Sequence, residues 1–301
     1  MNNYISVIIT AYNRKEFLLG AIKSVLNQTL SKDKYEIIVV KNYNDDEIDE
    51  FISKNNIKSI LSNNKLVILD GIKYSRGNIL SFLEDDDLFL NNRLEYVYNL
   101  FNNDNNLVYY HNKAQFINKD NKNIKNMYKE PDFNVSCISI KKEIININNF
   151  AKIYSSADTF MYLSALESNK KIISNKSILS CYRVHNSLSN VFTWDLCEFN
   201  RQHIKFIDIT INNFHMFTNF FSSRKAIRYI NSQITNFEIS RFSYSNSKMP
   251  GNLLNFILFN KSGIKNKITK TSIYLAIRIS PNYFRKYIQN KRLATSNSYI
   301  S

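Results

Sequence analysis

The acidic run Glu84–Asp87 has the residue types and spacing best suited to chemistry. It directly follows Ile79–Leu83, a mostly apolar segment typical of a buried strand. Four carboxyl groups held at one strand end repel each other unless a cation lies among them. Mg²⁺ and Mn²⁺ take oxygen ligands of this kind, commonly together with substrate phosphates. The run therefore predicts a divalent-metal site; the alternative is an acidic turn that favours the N-terminus of the following helix.

Other phosphate-binding and metal-binding patterns are missing from the sequence. Only five glycines occur in 301 residues, and neither GxGxxG nor a Walker A pattern can be formed from them. Any bound phosphate must therefore be met by a metal and by side chains. Three widely separated cysteines form neither a zinc pattern nor a disulfide framework, which favours a reducing compartment. The first residues lack a signal-peptide layout, and no apolar run reaches the roughly 18 residues of a transmembrane helix.

Alternating strands and helices position this acidic run. The apolar patterns predict strands at Ile5–Thr10, Tyr35–Val40, Lys65–Leu69 and Tyr74–Leu83, with helices after the capping signal at Asn13 and over Ile48–Asn55. Such alternation is typical of a parallel sheet with crossover helices, whose ligands bind beyond the carboxyl ends of the strands. Three polar strand ends should therefore converge on one edge of the sheet, namely Thr10–Tyr12, Lys41–Asn42 and Glu84–Asp87.

Shorter elements follow the acidic run. The patterns predict a helix at Arg93–Asn102, a strand at Leu107–His111, a long polar loop at Lys113–Pro131, a strand at Val135–Lys141, a helix at Thr159–Asn169 and a strand at Ile178–Val184. Asp158 stands just before the last of these helices, where a carboxylate commonly caps the helix N-terminus. Capping is therefore one interpretation of this residue.

The distribution of charge divides the chain into two parts. Residues 1–200 carry 24 Lys and Arg against 23 Asp and Glu, whereas residues 201–301 carry 16 basic residues and only Asp208 and Glu238 as acids. Nearly all of the net charge of +15 therefore lies in the last third of the chain. This split predicts an α/β domain over residues 1–190 and a basic, mainly α-helical region over residues 191–301.

Five sets of residues, in order along residues 1–190, resemble the motifs of family 2 glycosyltransferases. They are Ser6–Arg14, Ser24–Thr29 with Glu36–Val40, Gly77–Asp87 with its DxD-like acidic run, Ala157–Asp158, and Tyr182–Ser189. The resemblance implies a GT-A fold, a Rossmann-like and mostly parallel α/β sheet with flanking helices. It also implies inverting transfer of a sugar from a UDP- or GDP-sugar to a hydroxyl acceptor, with Mg²⁺ or Mn²⁺ as cofactor.

The same resemblance implies roles for individual residues. The nucleotide-sugar site would comprise Thr10, Ala11, Tyr12, Arg14, Asn42, Glu84 and Asp85. In it, Thr10 and Tyr12 would contact the base, and Glu84 and Asp85 would lie near the ribose and diphosphate. Asp86 would bind the metal, with Asp87 following the DxD triplet.

Two further residues complete the site that the resemblance implies. His185 would lie near the diphosphate or act as a metal ligand, and Asp158 would be the catalytic base that deprotonates the acceptor hydroxyl. Sugar transfer to a hydroxyl needs such a base beside the nucleophile, together with a group that neutralises the departing diphosphate.

Two positions depart from the family pattern. Lys41 stands where a carboxylate is usual, and Glu84 replaces the first Asp of the DxD triplet. Asn42 can still accept a hydrogen bond from a pyrimidine N–H through its amide oxygen. These departures motivate a second hypothesis, a catalytically impaired relative that binds nucleotide sugars.

Aromatic and basic residues interleave at helical spacing over Phe206–Tyr229. A second amphipathic pattern runs from Ile273–Ile279 to Ile288 and is cationic at Arg285–Lys286 and Lys291–Arg292. Three interpretations remain open: an interfacial surface on an anionic membrane, a single-strand nucleic-acid appendage, and a solvated helical face. The sequence contains no RRM, KH or zinc pattern to support the second. The first suits a glycan or lipid-linked acceptor. It places the protein in the cytoplasm, peripherally on the inner face of the cell membrane.

Overall fold

The computed structural model of the protein describes residues 3–64, 66–124, 134–184, 195–245 and 264–297. The chain divides into two compact units, Met1–Val184 and His185–Ser301. The domain boundary predicted after residue 190 falls in residues 185–194, outside the described residues, and stays a prediction. The two units are described separately below.

The described part of the first unit contains one eight-stranded sheet. Its strands are β1 (Ile5–Ala11), β2 (Tyr35–Lys41), β3 (Lys58–Leu61), β4 (Ile79–Glu84), β5 (Leu88–Phe89), β6 (Leu107–Ile117), β7 (Ile138–Lys141) and β8 (Lys171–Arg183). Their order across the sheet is β3-β2-β1-β4-β7-β6-β8-β5. The first four are parallel, β7 is antiparallel to β4 and β6, and β8 is parallel to β6 and antiparallel to β5. The predicted α/β fold with a mostly parallel sheet is confirmed.

Helices cover this sheet and form most of the described second unit. In the first unit they are α1 (Leu18–Leu26), α2 (Asp46–Lys54), α3 (Ile68–Tyr74), α4 (Arg93–Asn103), α5 (Ile147–Phe150) and α6 (Ala157–Glu167). The second unit contains α7 (Leu196–Phe217), α8 (Arg224–Tyr244), α9 (Ile264–Ile279) and α10 (Pro281–Asn297). The predicted helical C-terminal region is confirmed. Among the described helices, none combines the length and hydropathy needed to cross a bilayer.

β1 lies at the centre of the parallel part of the sheet and is buried on both faces. Ile5, Val7 and Ile9 pack in the core with apolar side chains of α1 and α4, while Ile8 lies beside Gly71 of α3 on the opposite face. A strand covered by helices on both faces reads as a continuous apolar run, which explains why this strand is so clear in the sequence. The central position of β1 also determines where the polar residues at its carboxyl end lie.

The predicted strand at Lys65–Leu69 is wrong. The third strand is β3, which ends at Leu61, and Ile68 and Leu69 of the predicted strand open α3 instead. β3 lies at the edge of the sheet with mostly exposed side chains, so it carries little apolar signal. In α3, Ile68, Leu69 and Ile72 are buried at helical spacing.

Long-range pairing between β6 and β8 overrides two other predictions. β6 extends to Ile117, so the first part of the predicted loop at Lys113–Pro131 is strand, while residues 125–133 lie outside the described residues. β8 begins at Lys171 rather than Ile178. The polar stretch Asn175–Ser177 breaks its apolar pattern, but parallel pairing with β6 satisfies the backbone on both sides of it.

Gly77 allows β1 and the segment leading into β4 to approach closely. A Cβ at this position would lie 2.6 Å from both the Ser6 nitrogen and the Tyr4 carbonyl oxygen. The Gly77 N–H also donates to the Ser6 hydroxyl at 2.8 Å. Because both neighbours are backbone atoms, one in β1 and one in the residue just before it, they cannot rotate away. Glycine is therefore required here by space rather than by an unusual backbone angle.

We predict that Gly77→Ala destabilises the first unit by about 1–3 kcal/mol, the usual cost of forcing a methyl group into a filled space. Gly20→Ala is the matched control, because its Cβ would meet only Leu88 Cδ2 at 3.7 Å. Gly20 lies in α1, where alanine is favoured over glycine by up to about 1 kcal/mol. Thermal unfolding followed by circular dichroism should show a lower melting temperature for the first variant only; equal melting temperatures would contradict the close approach.

Candidate active site

Three strand ends meet at one edge of the sheet, as predicted. In the register of the sheet, Thr10 lies between Val40 of β2 and Glu84 of β4. The Asp85 N–H donates to the Thr10 carbonyl oxygen at 3.1 Å, so the chain stays tied to β1 as it leaves β4. The acidic run therefore begins at the carboxyl edge of the parallel strands, where ligands of such sheets bind.

The acidic run folds into a compact cluster. Carboxylate oxygens of Glu84, Asp86 and Asp87 lie within 4.8 Å of one another. Glu84 is half-buried, while Asp85, Asp86 and Asp87 are buried. Several hard oxygen ligands at this separation fit a divalent cation such as Mg²⁺ or Mn²⁺. Glu84 can therefore reach this cluster in place of the usual aspartate. Asp87, which follows the DxD triplet in the motif, also belongs to the cluster.

The cluster is electrostatically costly without a cation. Burial, and then repulsion by Asp86, Asp87, Asp158 and Asp85, raises the pKa of Glu84 well above its ordinary value. Burial, followed by repulsion from Asp86, raises the pKa of Asp87 to about 7. Both effects have the sign expected when like charges share a desolvated site. Added positive charge would stabilise the cluster in its ionised form.

Arg14 supplies positive charge directly to two of the carboxylates. Its Nη2 atom lies 2.7 Å from Asp86 Oδ2 and also contacts Asp85 Oδ1, while its Nε donates to Asp85 Oδ2 at 3.3 Å. The loop that carries it is fixed by the Tyr43 hydroxyl, which donates to the Arg14 carbonyl oxygen at 2.5 Å. Arg14, which the motif assigned to the donor site, thus bridges the two aspartates.

Arg183 fixes the backbone of the acidic run, a role that sequence reasoning missed. Its N–H donates to Asp87 Oδ1 at 2.9 Å, and its Nε donates to the Asp86 carbonyl oxygen at 2.7 Å. The guanidinium also lies 4.3 Å from the centre of the Phe17 ring. Arg183 is 3% exposed, so these contacts are shielded from water. The only sequence signal was its place in the Tyr182–Ser189 motif.

Two polar side chains before β7 complete this support. Asn134 donates through Nδ2 to Asp87 Oδ2 at 3.1 Å, so both oxygens of Asp87 are engaged. The Ser136 hydroxyl accepts the Glu84 N–H at 3.0 Å. Both residues are buried. Strand β7 is distant from β4 in sequence but adjacent in the sheet, which is why no local pattern indicated these contacts.

The residues predicted to contact the nucleotide base lie in different environments. Thr10 is half-buried and Tyr12 is 51% exposed, so both can meet a ligand at this edge. Ala11 is fully buried within the core, where it shapes the strand end. Asn42 pairs with Asn13: its Oδ1 accepts the Asn13 N–H at 2.8 Å, and its Nδ2 donates to Asn13 Oδ1 at 2.7 Å.

Lys41 does not present its charge to the cluster. Its Nζ lies 2.9 Å from Asp49 Oδ1 of α2 and donates to the Tyr43 carbonyl oxygen at 2.7 Å. The residue is only 2% exposed. The cation that replaces the usual carboxylate is therefore neutralised by a neighbouring helix. It holds the end of β2 against α2.

Asp158 lies in the first turn of α6, two residues after the cap position. The N-cap is Ser156, whose backbone adopts a left-handed conformation with φ of 63°. Asp158 Oδ1 accepts the N–H of the adjacent Thr159 at 2.7 Å. The capping interpretation of Asp158 is therefore wrong. Burial raises the pKa of its carboxyl group, and its charge acts on Glu84. His185 lies outside the described residues, so its predicted role stays a prediction.

The fold and site match a known family. The family model described as "Glycosyl transferase family 2" matches residues 6–163, which is more than half of the chain. The match includes the three strand ends, the acidic cluster and Asp158. The chain belongs to the family 2 glycosyltransferases.

Individual relatives refine this similarity. A Rickettsia bellii glycosyltransferase is 34% identical over 130 residues, which are 39% of this chain and 18% of the relative. The chain thus spans about a fifth of the length of the first relatives it matches. An Escherichia coli protein, UDP-Glc:alpha-D-GlcNAc-diphosphoundecaprenol beta-1,3-glucosyltransferase, is 25% identical over 227 residues, covering 67% of this chain and 85% of the relative.

Solved structures show the same fold at low identity. Residues 1–349 of Staphylococcus aureus TarS, in complex with UDP-GlcNAc, align with a TM-score of 0.53 at 13% identity, covering 98% of this chain and 91% of that one. A Pyrobaculum calidifontis mannosyltransferase, in complex with GDP-Man and Mn²⁺, aligns with a TM-score of 0.57 at 9% identity, covering 100% and 88%. The predicted GT-A fold is confirmed.

We predict different consequences for the two adjacent aspartates. Asp86→Asn should weaken Mn²⁺ binding at least tenfold with the fold intact, because it removes a charged ligand from the cluster. Asp87→Asn should also lower the melting temperature, because an amide nitrogen would then face either the Arg183 N–H or the Asn134 amide donor. Isothermal titration with Mn²⁺ and thermal unfolding measure the two effects. Unchanged Mn²⁺ affinity in Asp86→Asn would rule out that ligand.

Arg14 and a divalent cation should compete for Asp86. We predict that Arg14→Met raises Mn²⁺ affinity in the absence of donor by about tenfold, since a hydrogen bond to a charged group contributes about 1.5–3 kcal/mol. Lys15→Met is the matched control: it removes the same charge from the next residue, but Lys15 pairs with Asp45 at 2.7 Å and not with the cluster. Weaker Mn²⁺ binding by Arg14→Met would show instead that Arg14 organises the cluster for the metal.

Proposed function

We propose that the protein is an inverting, metal-dependent glycosyltransferase that moves a sugar from a UDP- or GDP-sugar to a hydroxyl acceptor. The observation that carries this proposal is the meeting of Glu84, Asp86 and Asp87 at the carboxyl edge of the sheet, with Asp158 close enough to act on Glu84 electrostatically. One set of carboxylates suits a metal and a diphosphate, and a separate carboxylate suits a proton acceptor. Transfer to a hydroxyl requires both.

The metal site would be formed by Glu84, Asp86 and Asp87. A Mg²⁺ or Mn²⁺ ion there would neutralise the charge that develops on the leaving diphosphate. The Pyrobaculum calidifontis mannosyltransferase, in complex with GDP-Man and Mn²⁺, supports such a cofactor, and TarS, in complex with UDP-GlcNAc, supports a nucleotide-sugar donor. Arg14, which contacts Asp85 and Asp86, would meet the donor phosphates once these carboxylates bind a cation.

Asp158 would accept the proton of the acceptor hydroxyl. A base whose pKa is raised by burial holds a proton more strongly than an exposed aspartate, which favours proton transfer from an alcohol. Thr159 donates to one of its oxygens through the backbone and so orients the carboxylate. Thr10 and Tyr12 at the neighbouring strand end would contact the base of the donor.

The two departures that motivated an impaired relative have structural explanations. The Lys41 ammonium is paired with Asp49, and Glu84 reaches the acidic cluster through its longer side chain. These contacts favour an active enzyme over a protein that only binds nucleotide sugars.

The acceptor and the place of action form a second part of the proposal. The Escherichia coli relative is an alpha-D-GlcNAc-diphosphoundecaprenol glucosyltransferase, and a Bacillus subtilis relative, 35% identical over 115 residues, is a minor teichoic acid biosynthesis protein. Together with the basic C-terminal region, these relatives support a glycan or lipid-linked acceptor. The enzyme would then act in the cytoplasm, peripherally on the inner face of the membrane, where it meets a lipid-linked substrate.

We predict that Asp158→Asn lowers sugar transfer by about 10²–10⁴-fold, the usual contribution of a general base. The amide keeps an oxygen for the Thr159 N–H, so donor affinity and stability should change little. Two quantities would be measured on the same variant. They are the affinity for UDP- and GDP-sugars in the presence of Mn²⁺ and the turnover with a lipid-diphosphate-linked sugar acceptor. Asp33→Asn is the control, because Asp33 is exposed on the surface and pairs with Lys34. Normal turnover in Asp158→Asn would exclude Asp158 as the base.

A further inference from the structure

The helices α9 and α10 have an unusual charge content. Over residues 264–297 they contain eight basic residues and no acidic one, namely Lys265, Lys267, Lys270, Arg278, Arg285, Lys286, Lys291 and Arg292. The two acids of residues 201–301, Asp208 and Glu238, lie in α7 and α8. The structure separates these cations into groups with different surroundings.

One group is directed into the second unit. Lys270 Nζ donates to the Ser240 hydroxyl of α8 at 3.1 Å. Arg285 donates through Nε to the Phe242 carbonyl oxygen at 3.0 Å and lies 4.8 Å from the centre of that ring, and Arg292 lies 5.0 Å from the Tyr244 ring. These cations hold α9 and α10 against α8. The sequence pattern had placed Arg285 and Arg292 together with Lys286 and Lys291, but only the latter two are exposed.

The outward group lies beside exposed apolar residues. Arg278, Lys286 and Lys291 are exposed. On α9, Ile268, Leu275 and Ile279 are 61%, 47% and 82% exposed. Their spacing of seven and then four residues places them on one face of the helix.

Helix α10 continues this character. Tyr283 and Tyr287, four residues apart, are 68% and 55% exposed. The core of this part of the unit is already filled by other side chains of the same helices, namely Tyr274, Ile277 and Ile288 packed with Ile239 and Phe242. Each helix therefore has a second apolar face that the core does not use. We call Ile268, Leu275, Arg278, Ile279, Tyr283, Lys286, Tyr287 and Lys291 the outer face.

We propose that the outer face binds the surface of an anionic lipid bilayer, which extends the membrane attachment proposed above by naming the residues that make the contact. Anionic headgroups complement the three exposed cations, and the boundary between headgroups and acyl chains accommodates the isoleucines and leucine. Tyrosine rings are favoured at the same depth, because they have an apolar body and a polar tip.

The composition of the outer face argues against two other occupants. A second copy would bring cations against cations, because residues 264–297 contain no acid to pair with them. A nucleic acid would match the cations and could stack on the tyrosines, but it would leave Ile268, Leu275 and Ile279 in water. An anionic bilayer satisfies both the charge and the aliphatic surface.

The first experiment separates local charge from net charge. Full-length protein is sedimented with vesicles of phosphatidylcholine and phosphatidylglycerol at low salt. Arg278→Gln with Lys286→Gln should lower partitioning by about 25-fold, since each cation near an anionic leaflet contributes roughly fivefold. The matched control, Arg224→Gln with Lys225→Gln, removes two exposed cations from the first turn of α8, where the helix dipole disfavours them. It should bind nearly as well as wild type.

The second experiment tests the apolar part. Leu275→Ser with Ile279→Ser should reduce binding in high salt, where headgroup attraction is screened and aliphatic insertion remains. Ile209→Ser is the control, because Ile209 is 40% exposed but lies in α7. Circular dichroism checks that every variant keeps its helical content and melting temperature.

Each outcome decides the proposal. Selective loss of vesicle binding in the outer-face variants supports it. The proposal would be overturned if the α8 control lost binding equally, or if the Arg278 and Lys286 variant sedimented like wild type. It would also be overturned if the protein preferred single-stranded nucleic acid at equal salt, or if it formed a concentration-dependent dimer that the serine variants abolish. Nucleotide-sugar binding is measured in parallel. If wild-type protein does not bind nucleotide sugars, the proposed transferase function is contradicted. If it binds nucleotide sugars but not vesicles, only the membrane role of the outer face is contradicted.

Discussion

Repulsion among carboxylates at the end of β4 is the constraint on which the site depends. Glu84, Asp86 and Asp87 are brought within 4.8 Å of one another in a buried setting, where like charges interact more strongly than in water. The surrounding residues stabilise the acidic cluster in two ways. Arg14 supplies charge to Asp85 and Asp86, while Arg183 and Asn134 donate hydrogen bonds to Asp87. These partners come from β8 and from the segments before α1 and β7, so the acidic run also joins distant parts of the first unit.

The same arrangement suits glycosyl transfer. In the proposed mechanism, this acidic and hydrogen-bonded site would hold a divalent cation and, through it, a diphosphate. Asp158 stands apart from the support network and has one oxygen oriented by the Thr159 N–H. In the proposed reaction, the cluster would hold the metal and the single carboxylate would accept the proton. The cluster lies at the end of β4, whereas Asp158 comes from the first turn of α6.

Basic residues serve two purposes in the second unit. Lys270, Arg285 and Arg292 use their charge and their long side chains to bind α8, in contacts that include backbone carbonyls and aromatic rings. Arg278 and Lys286 are exposed beside aliphatic and tyrosine side chains. Net charge alone cannot distinguish these roles. The useful quantity is the charge that remains on the surface after packing.

Local patterns in the sequence were sufficient to predict the class of the protein. The β-branched run of β1, the order of strands and helices and the acidic run after an apolar strand all depend on near neighbours in the chain. Tertiary structure decided what depends on distant pairing: the edge strand β3, the full length of β6 and β8, and the support of Asp87 by Arg183 and Asn134. It also decided that Lys41 pairs with Asp49, that Asp158 is not a helix cap and that Arg285 packs inward, because a side chain's partner is set by the three-dimensional fold.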